Sequence, residues 1–348
     1  MSDYPAAWRR TREQVARLPR LDLACRPTPL EEYPRLAAAA GLSSLHVKRE
    51  DLTGLAFGGN KVRELDLIVA DAVRAGADTF VAGGGGTQSN HARQCAAAAR
   101  RAGLEPVLVL RRTADVERRS GNLLAAGLFA DDIRWIDVDA GLADREAAAE
   151  AMEAVAQELT AAGRRPYLLR SSFHRLAAAA YVDGGIELAE QLHDRGIGDA
   201  QVVVSSMGAT RVGLQLAFAS CGLDWPVHAM GWRPVDRDLA ERLAKLADET
   251  AALLGLDLPG ATPADFVTYD HGGPAYGVPH PAGVAAATLA AHTEGLLLDP
   301  VYTAKAFAGL LAEVAAGRID QARPVVFVHT GGLPVVFAHD LPAAREEA

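Results

Sequence analysis

The chain has 348 residues, 49% hydrophobic and 23% charged, a balance that suits a soluble globular protein of one or two domains. Its net charge of −9, without long single-sign runs, argues against nucleic acid or an anionic membrane as the main partner. No stretch approaches the roughly 20 apolar residues of a membrane span, and the N-terminus lacks the apolar core of a signal peptide. Cys25, Cys95 and Cys221 have no CxxC spacing, and the ten histidines no metal-ligand spacing. A cytoplasmic location with reduced thiols is therefore expected.

The first segment with chemistry in it is LAFGGNKVRELD, residues 55–66. Lys61 follows Gly58, Gly59 and Asn60 and opens a helix-patterned apolar run (Val62, Leu65, Ile68, Val69). A partly desolvated amine at such a junction has a lowered pKa, and its neutral form attacks carbonyl carbon, usually to make a Schiff base. A solvated surface lysine explains the same pattern when it is taken alone.

Short β-rich runs then alternate with Ala/Leu-rich helical patterns. Strands are predicted at Thr79–Ala82, Pro106–Leu110, Ile133–Val138 and Tyr167–Leu169, with helices at Asn90–Ala102, Ala114–Leu128 and Ala143–Ala162. A second set has strands at Gln201–Ser205, Pro226–Gly231 and Pro324–Val328, and helices at Thr210–Ser220, Arg237–Leu254 and Thr303–Ala315. Alternation predicts an α/β fold of two open, mostly parallel sheets flanked by helices. A ligand cleft is expected between them at the carboxyl ends of strands. The Pro/Gly-rich stretch Pro259–Pro281 is too long for an idle connection.

Three strand-to-loop turns stand out. AGGGGTQSNHARQ begins at Ala82: four glycines permit close backbone approach, Ser89 suits an N-cap, and Gln88, Asn90 and His91 offer polar groups at the helix mouth. VVVSSMGAT (202–210) runs a strand into Ser205, Ser206, Met207, Gly208, Ala209 and Thr210, the way backbone N–H groups and a helix N-terminus are offered to phosphate. It matches neither GxGxxG nor GxxxxGKS. FVHTGG (327–332) ends a strand at Thr330 and turns at Gly331 and Gly332. Each turn alone is explicable as structure. Together with Lys61 they suggest a phosphate-bearing carbonyl cofactor.

The runs VKREDLTGLAFGGNKVRELD, QSNHARQ, YGVP (276–279), LLLDPVYTAKA and HTGG, in this order from about Pro27 to His339, resemble the pyridoxal-phosphate enzymes of the ACC deaminase and D-cysteine desulfhydrase family. ACC is 1-aminocyclopropane-1-carboxylate. The resemblance implies the tryptophan-synthase-β-like fold (fold type II): a large pyridoxal-phosphate domain, residues 1–63 and 172–348, a smaller α/β domain, residues 64–171, and a homodimer. It also makes Lys61 the Schiff-base lysine with Asn60 beside it. Asn90 is expected at the ring hydroxyl, and Ser89 at the substrate with Gln88 and His91 close by. The turn from Ser205 to Thr210 is expected at the phosphate, and Tyr276 and Tyr302 as two active-site tyrosines.

Thr303 and Thr330 follow the D-cysteine desulfhydrase pattern; ACC deaminases resemble one another in having Glu and Leu there. A hydroxyl can only hydrogen-bond the pyridine nitrogen, whereas a carboxylate favours its protonation, so threonine leaves a weaker electron sink. That suits loss of a good β leaving group better than opening of a strained ring. The chain departs from the pattern at Met207 and Ala209, whose bulk is expected to tilt the phosphate or narrow the cleft, and at His280 and Thr87. The resemblance thus implies α,β-elimination from a small amino acid, D-cysteine giving pyruvate, ammonia and sulfide. Alternatives are an L-cysteate sulfo-lyase, an ACC deaminase, a β-replacement synthase and a non-catalytic amino-acid-binding homologue.

Overall fold

The structure, a computed structural model, describes residues 4–112, 119–137, 143–171, 173–231, 236–273 and 277–339. Ten strands are β1 Leu30–Glu32, β2 Leu45–Lys48, β3 Thr79–Gly83, β4 Glu105–Arg111, β5 Asp132–Ile136, β6 Pro166–Leu169, β7 Gln201–Val204, β8 Val227–Gly231, β9 Thr268–Asp270 and β10 Val325–Val328. The helices are α1 Ala6–Ala16, α2 Pro34–Ala39, α3 Lys61–Arg74, α4 Asn90–Arg101, α5 Gly121–Phe129, α6 Ala143–Ala161, α7 Arg175–His193, α8 Ala209–Ser220, α9 Arg237–Leu254, α10 Pro281–Glu294, α11 Thr303–Ala315 and α12 Leu333–Val336.

The strands form two sheets, as expected: a larger one in the order β1-β2-β10-β7-β8-β9 and a smaller one in the order β5-β4-β3-β6. Only β1 with β2 is antiparallel. The central strands are continuous apolar runs, Val202–Val204 and Val325–Val328, buried on both faces, the composition a helix-covered parallel sheet demands. Val328 lies opposite both Lys48 and Val204. The loops leaving β2, β10 and β7 therefore start side by side at one edge. That edge carries Lys61, the HTGG turn and the serine-rich turn.

The structure differs from the expected elements in a few places. α5 starts at Gly121; the first part of the helix expected from Ala114 falls on residues 113–118, outside those described, as does Val138 of the expected third strand. The expected boundary between residues 63 and 64 lies inside α3, a continuous helix.

α7 is the largest element that sequence patterning missed. Two adjacent glycines, Gly184 and Gly185, interrupt its pattern, and glycine costs about 1 kcal/mol in a helix interior. Packing explains Gly185. A Cβ on Gly185 would lie 2.5 Å from Ala217 Cβ, and one on Gly213 of α8 would lie 2.3 Å from the Ala178 carbonyl oxygen. The two helices touch backbone to backbone through these positions. Gly213→Ala is accordingly expected to destabilise the chain by about 1–3 kcal/mol, the usual cost of overpacking, which thermal or urea denaturation will read directly.

Candidate active site

The loop before Lys61 is bent by necessity. Positive φ occurs at Gly54, Ala56, Phe57, Gly58 and Gly59, and left-handed backbone at Ala56 and Phe57 stores local strain that the surroundings must hold in place. Thr53 clasps Gly59 on both sides: its Oγ1 donates to the Gly59 carbonyl (2.9 Å) and accepts from the Gly59 N–H (2.8 Å). Arg93, fully buried on α4, donates to the carbonyls of Ala56 and Gly58. The Asn60 N–H donates to the Thr330 carbonyl (3.0 Å). A Cβ at Gly331 would sit 2.7 Å from Gly59 Cα, so the lysine loop and the HTGG turn are in backbone contact.

From this loop a chain of polar contacts reaches the serine-rich turn. Asn60 Nδ2 donates to Thr210 Oγ1 (2.8 Å), and Thr210 Oγ1 donates to Glu64 Oε1 (2.9 Å). Lys61 Nζ donates to the same Oε1 (2.9 Å). Lys61 is thus one carboxylate oxygen away from the turn, and its side chain is 18% exposed. The amine is ion-paired with Glu64. Burial raises the Glu64 carboxyl above its ordinary range, opposed by Lys61 and the Thr210 hydroxyl.

The QSNHARQ segment packs against this loop, with its residues divided between structure and site. Ser89 caps α4, its Oγ accepting the Ala92 N–H (3.2 Å). The preceding glycines largely have packing reasons: a Cβ at Gly83 would lie 2.0 Å from the Val109 carbonyl oxygen, Gly84 has φ +80°, and a Cβ at Gly85 would meet Ser89 Oγ at 2.5 Å. Gln88 is held by the start of α5. Its Nε2 donates to the Ser120 carbonyl (3.2 Å) and its Oε1 accepts the Asn122 N–H (2.9 Å), so both ends of the amide serve the start of α5. Asn90 Oδ1 accepts from Asn122 Nδ2 (2.8 Å), which leaves its own NH2 as a donor for a ligand. His91, held at about 3 by burial and then by the Lys61 charge, is neutral at physiological pH.

Gln94 was not among the expected site residues. It is fully buried, and among the described residues neither end of its amide has a hydrogen-bond partner. A Cβ on Gly59 would lie 2.7 Å from its Nε2, so the amide faces the lysine loop. A buried polar group without a partner is rare enough to mark a site. Only its place in the motif hinted at this, since spacing gives no measure of satisfaction.

In the serine-rich turn, α8 begins at Ala209 with no side-chain cap, so its first N–H groups are available to an anion. Ser206 Oγ accepts the Gly208 N–H (3.3 Å), and Ser205 Oγ lies 3.4 Å from the Tyr302 carbonyl oxygen, tying this turn to the DPVY segment. Met207 and Ala209 belong to the buried hydrophobic core. Their bulk is accommodated there. His280 caps α10, with Nδ1 accepting the Gly283 N–H (3.3 Å).

Thr303 opens α11. It is fully buried, donates to Asp299 Oδ2 (2.7 Å) and accepts the Asp299 N–H (2.8 Å), so its hydroxyl proton is committed to the turn that starts α11. Thr330 differs: its carbonyl anchors Asn60, and its hydroxyl makes no hydrogen bond among the described residues. Tyr302 precedes α11, its N–H donating to Asp299 Oδ1 (2.8 Å). Tyr276 lies outside the described residues.

An amine, an uncapped helix N-terminus, a free amide donor on Asn90 and a free hydroxyl on Thr330 form a donor set that fits an aldehyde bearing a phosphate and a ring. The family model described as "Pyridoxal-phosphate dependent enzyme" matches residues 21–331. The chain belongs to this family. Relatives within reach of the same assignment are D-cysteine desulfhydrases of Salmonella paratyphi A and Salmonella newport, each 39% identical over 93% of this chain and 97% of the relative. A crystal structure of an ACC deaminase homologue superposes with a TM-score of 0.82 at 30% identity, covering 94% of this chain and 96% of the other. The processed form of threonine deaminase isoform 2 from Solanum lycopersicum shares the fold, with TM-score 0.63 at 17% identity over 93% and 89% of the two chains. Pyridoxal phosphate is the cofactor of this enzyme, and among the described residues no helix is long and apolar enough to cross a membrane.

Proposed function

We propose that this pyridoxal-phosphate-dependent lyase removes the β-substituent from a small amino acid, with D-cysteine as the leading substrate and pyruvate, ammonia and sulfide as products. The supporting observation is the 39% identity to D-cysteine desulfhydrases across 93% of the chain. When bound, pyridoxal phosphate supplies an aldehyde for an amine and a ring that draws electrons from the substrate α-carbon. Lys61 would hold that aldehyde through its amine, and its Nζ would be the group that accepts the α-proton. The N–H groups at the start of α8, with Ser205 and Ser206, hold the phosphate. Asn90 donates to the ring hydroxyl. Thr330 hydrogen-bonds the ring nitrogen without protonating it, the role its free hydroxyl supports and the occupied hydroxyl of Thr303 does not. Ser89, with its N-cap lone pair engaged, still has a proton to offer the substrate carboxylate, and Tyr276 and Tyr302 bound the substrate on the side of the DPVY and YGVP segments.

The same reading proposes a homodimer and two domains, residues 1–63 with 172–348 and residues 64–171, testable by sedimentation and limited proteolysis. The deciding assay measures pyruvate release from D-cysteine, L-cysteine, L-cysteate, β-chloroalanine and ACC. D-cysteine is expected to give the highest kcat/KM. Preference for ACC shifts the assignment to deamination, and formation of a substituted amino acid when a second nucleophile is supplied shifts it to β-replacement.

A further inference from the structure

Glu64 has no role in the reading above, yet it occupies the centre of the site. It is 1% exposed, and its Oε1 accepts both from Lys61 and from Thr210, the last hydroxyl of the serine-rich turn. A carboxylate beside an anion-binding turn works against the anion it must admit. We propose that Glu64 is a proton-linked positioning residue: it is ionised while Lys61 carries its ammonium, and takes up a proton when Lys61 is committed to the cofactor and the phosphate is seated. This rests on the cofactor reading and deepens it.

The physical steps are as follows. Lys61 Nζ forms a double bond to the aldehyde carbon, and the carbonyl oxygen leaves as water with two of the nitrogen's hydrogens. The ammonium's third proton passes to Glu64 Oε1, which then has no cation beside it. What remains at Oε1 is the Thr210 hydroxyl, with a phosphate held at the turn that Thr210 ends. Two anions sharing a water-free site cannot both stay charged at low cost, and the carboxyl is the group that protonates. Once protonated, it donates a hydrogen bond instead of repelling the phosphate.

The neighbours offer no alternative charge. Cys95 on α4 is raised by burial and then by the Glu64 charge, and Tyr181 on α7 by burial, then by Glu50 and more weakly by Glu64. His91 on α4 faces Lys61 and stays neutral. Thr210 on α8 is a hydroxyl. The ordinary behaviour of Glu64 is thus set by burial and by Lys61.

The experiment adds pyridoxal phosphate to the full chain and counts protons by calorimetry in buffers of different ionisation enthalpy. Wild type is expected to take up about one more proton than Glu64→Gln. Its apparent Kd should weaken with rising pH more steeply, approaching an extra tenfold per pH unit where the carboxyl titrates. In wild type alone, isotope-edited infrared difference spectra on cofactor addition are expected to gain a protonated-carboxyl band from labelled glutamate, a readout that survives even if the variant does not fold. Equal proton counts and equal pH slopes, or no such band, overturn the proposal. If neither protein develops the absorbance of lysine-bound cofactor, the cofactor reading itself fails, a different result from either of these.

Discussion

Replacing Lys61 with alanine is expected to abolish the absorbance of lysine-bound cofactor and to lower pyruvate formation by about 10³-fold or more, near the upper range for a positioned base that also captures the cofactor. The fold is expected to survive, because Lys61 opens α3 with a partly exposed side chain. Its stability acquires a pH dependence, however, because Glu64 loses its cation. A carboxyl whose folded pKa is raised stabilises less as pH climbs past its unfolded value, since the unfolded chain ionises first. The melting temperature of Lys61→Ala should therefore fall from mildly acidic to neutral pH. Lys61→Arg supplies a cation to Glu64 and should flatten that slope while remaining colourless. If Lys61→Ala keeps the bound-cofactor spectrum, another residue holds the cofactor and the site has been misassigned.

The second large effect concerns Arg63, two residues further along α3. Arg63, Lys48, Glu50 and Glu187 are all buried. Arg63 Nε lies 2.6 Å from Glu50 Oε2 and its NH2 2.7 Å from Glu187 Oε1, while Lys48 Nζ lies 2.5 Å from the same Glu187 oxygen. Thr28 and Tyr181 hydroxyls donate to Glu50 at 2.6 and 2.9 Å. Arg63→Met leaves Glu50 with hydroxyl donors and no direct cation. The expected loss is about 3–5 kcal/mol, the cost of breaking a buried pair from one side, or on the order of 10 °C in melting temperature. Replacing Glu50 with leucine in the same chain should recover part of it. An unchanged melting temperature in Arg63→Met would show that the cluster is dispensable. The same cluster governs acid stability. Burial pushes the Glu187 carboxyl up, but Arg63 and Lys48 outweigh it and hold it down at about 2. Its contribution is present above the ordinary carboxylate range and lost as pH falls through that value.

Much of this was legible in the sequence, for reasons that can be named. Continuous valine runs bounded by turn residues gave β7 and β10 because a strand buried on both faces admits little else. The helix starts at Asn90, Arg237 and Thr303 follow from Ser89 and Asp236 as caps and from the Asp299 turn, whose side chain accepts the first N–H groups. Lys61 stood out because glycines and an asparagine precede an apolar helix. What patterning missed depends on contacts across the chain. α7 needs a partner helix to explain Gly184 and Gly185. Thr303 and Gln88 have the right residue types for a ligand, but Asp299, Ser120 and Asn122 already occupy them. The importance of Glu64 and Gln94 lies in satisfaction and burial, which no spacing records. The motifs carried the family resemblance, which the match over residues 21–331 bears out; which side chains are already engaged with one another required coordinates.

The order of strands has a consequence for biosynthesis. β10, encoded late, wedges between two strands made much earlier, β2 and β7. While a ribosome is still producing the middle of the polypeptide, the lysine loop has no Thr330 carbonyl to rest on and no neighbouring strand to align it. Competence to take up vitamin B6 should therefore arrive abruptly, as one of the final events of maturation, and C-terminally truncated nascent chains should remain colourless whatever their helix content.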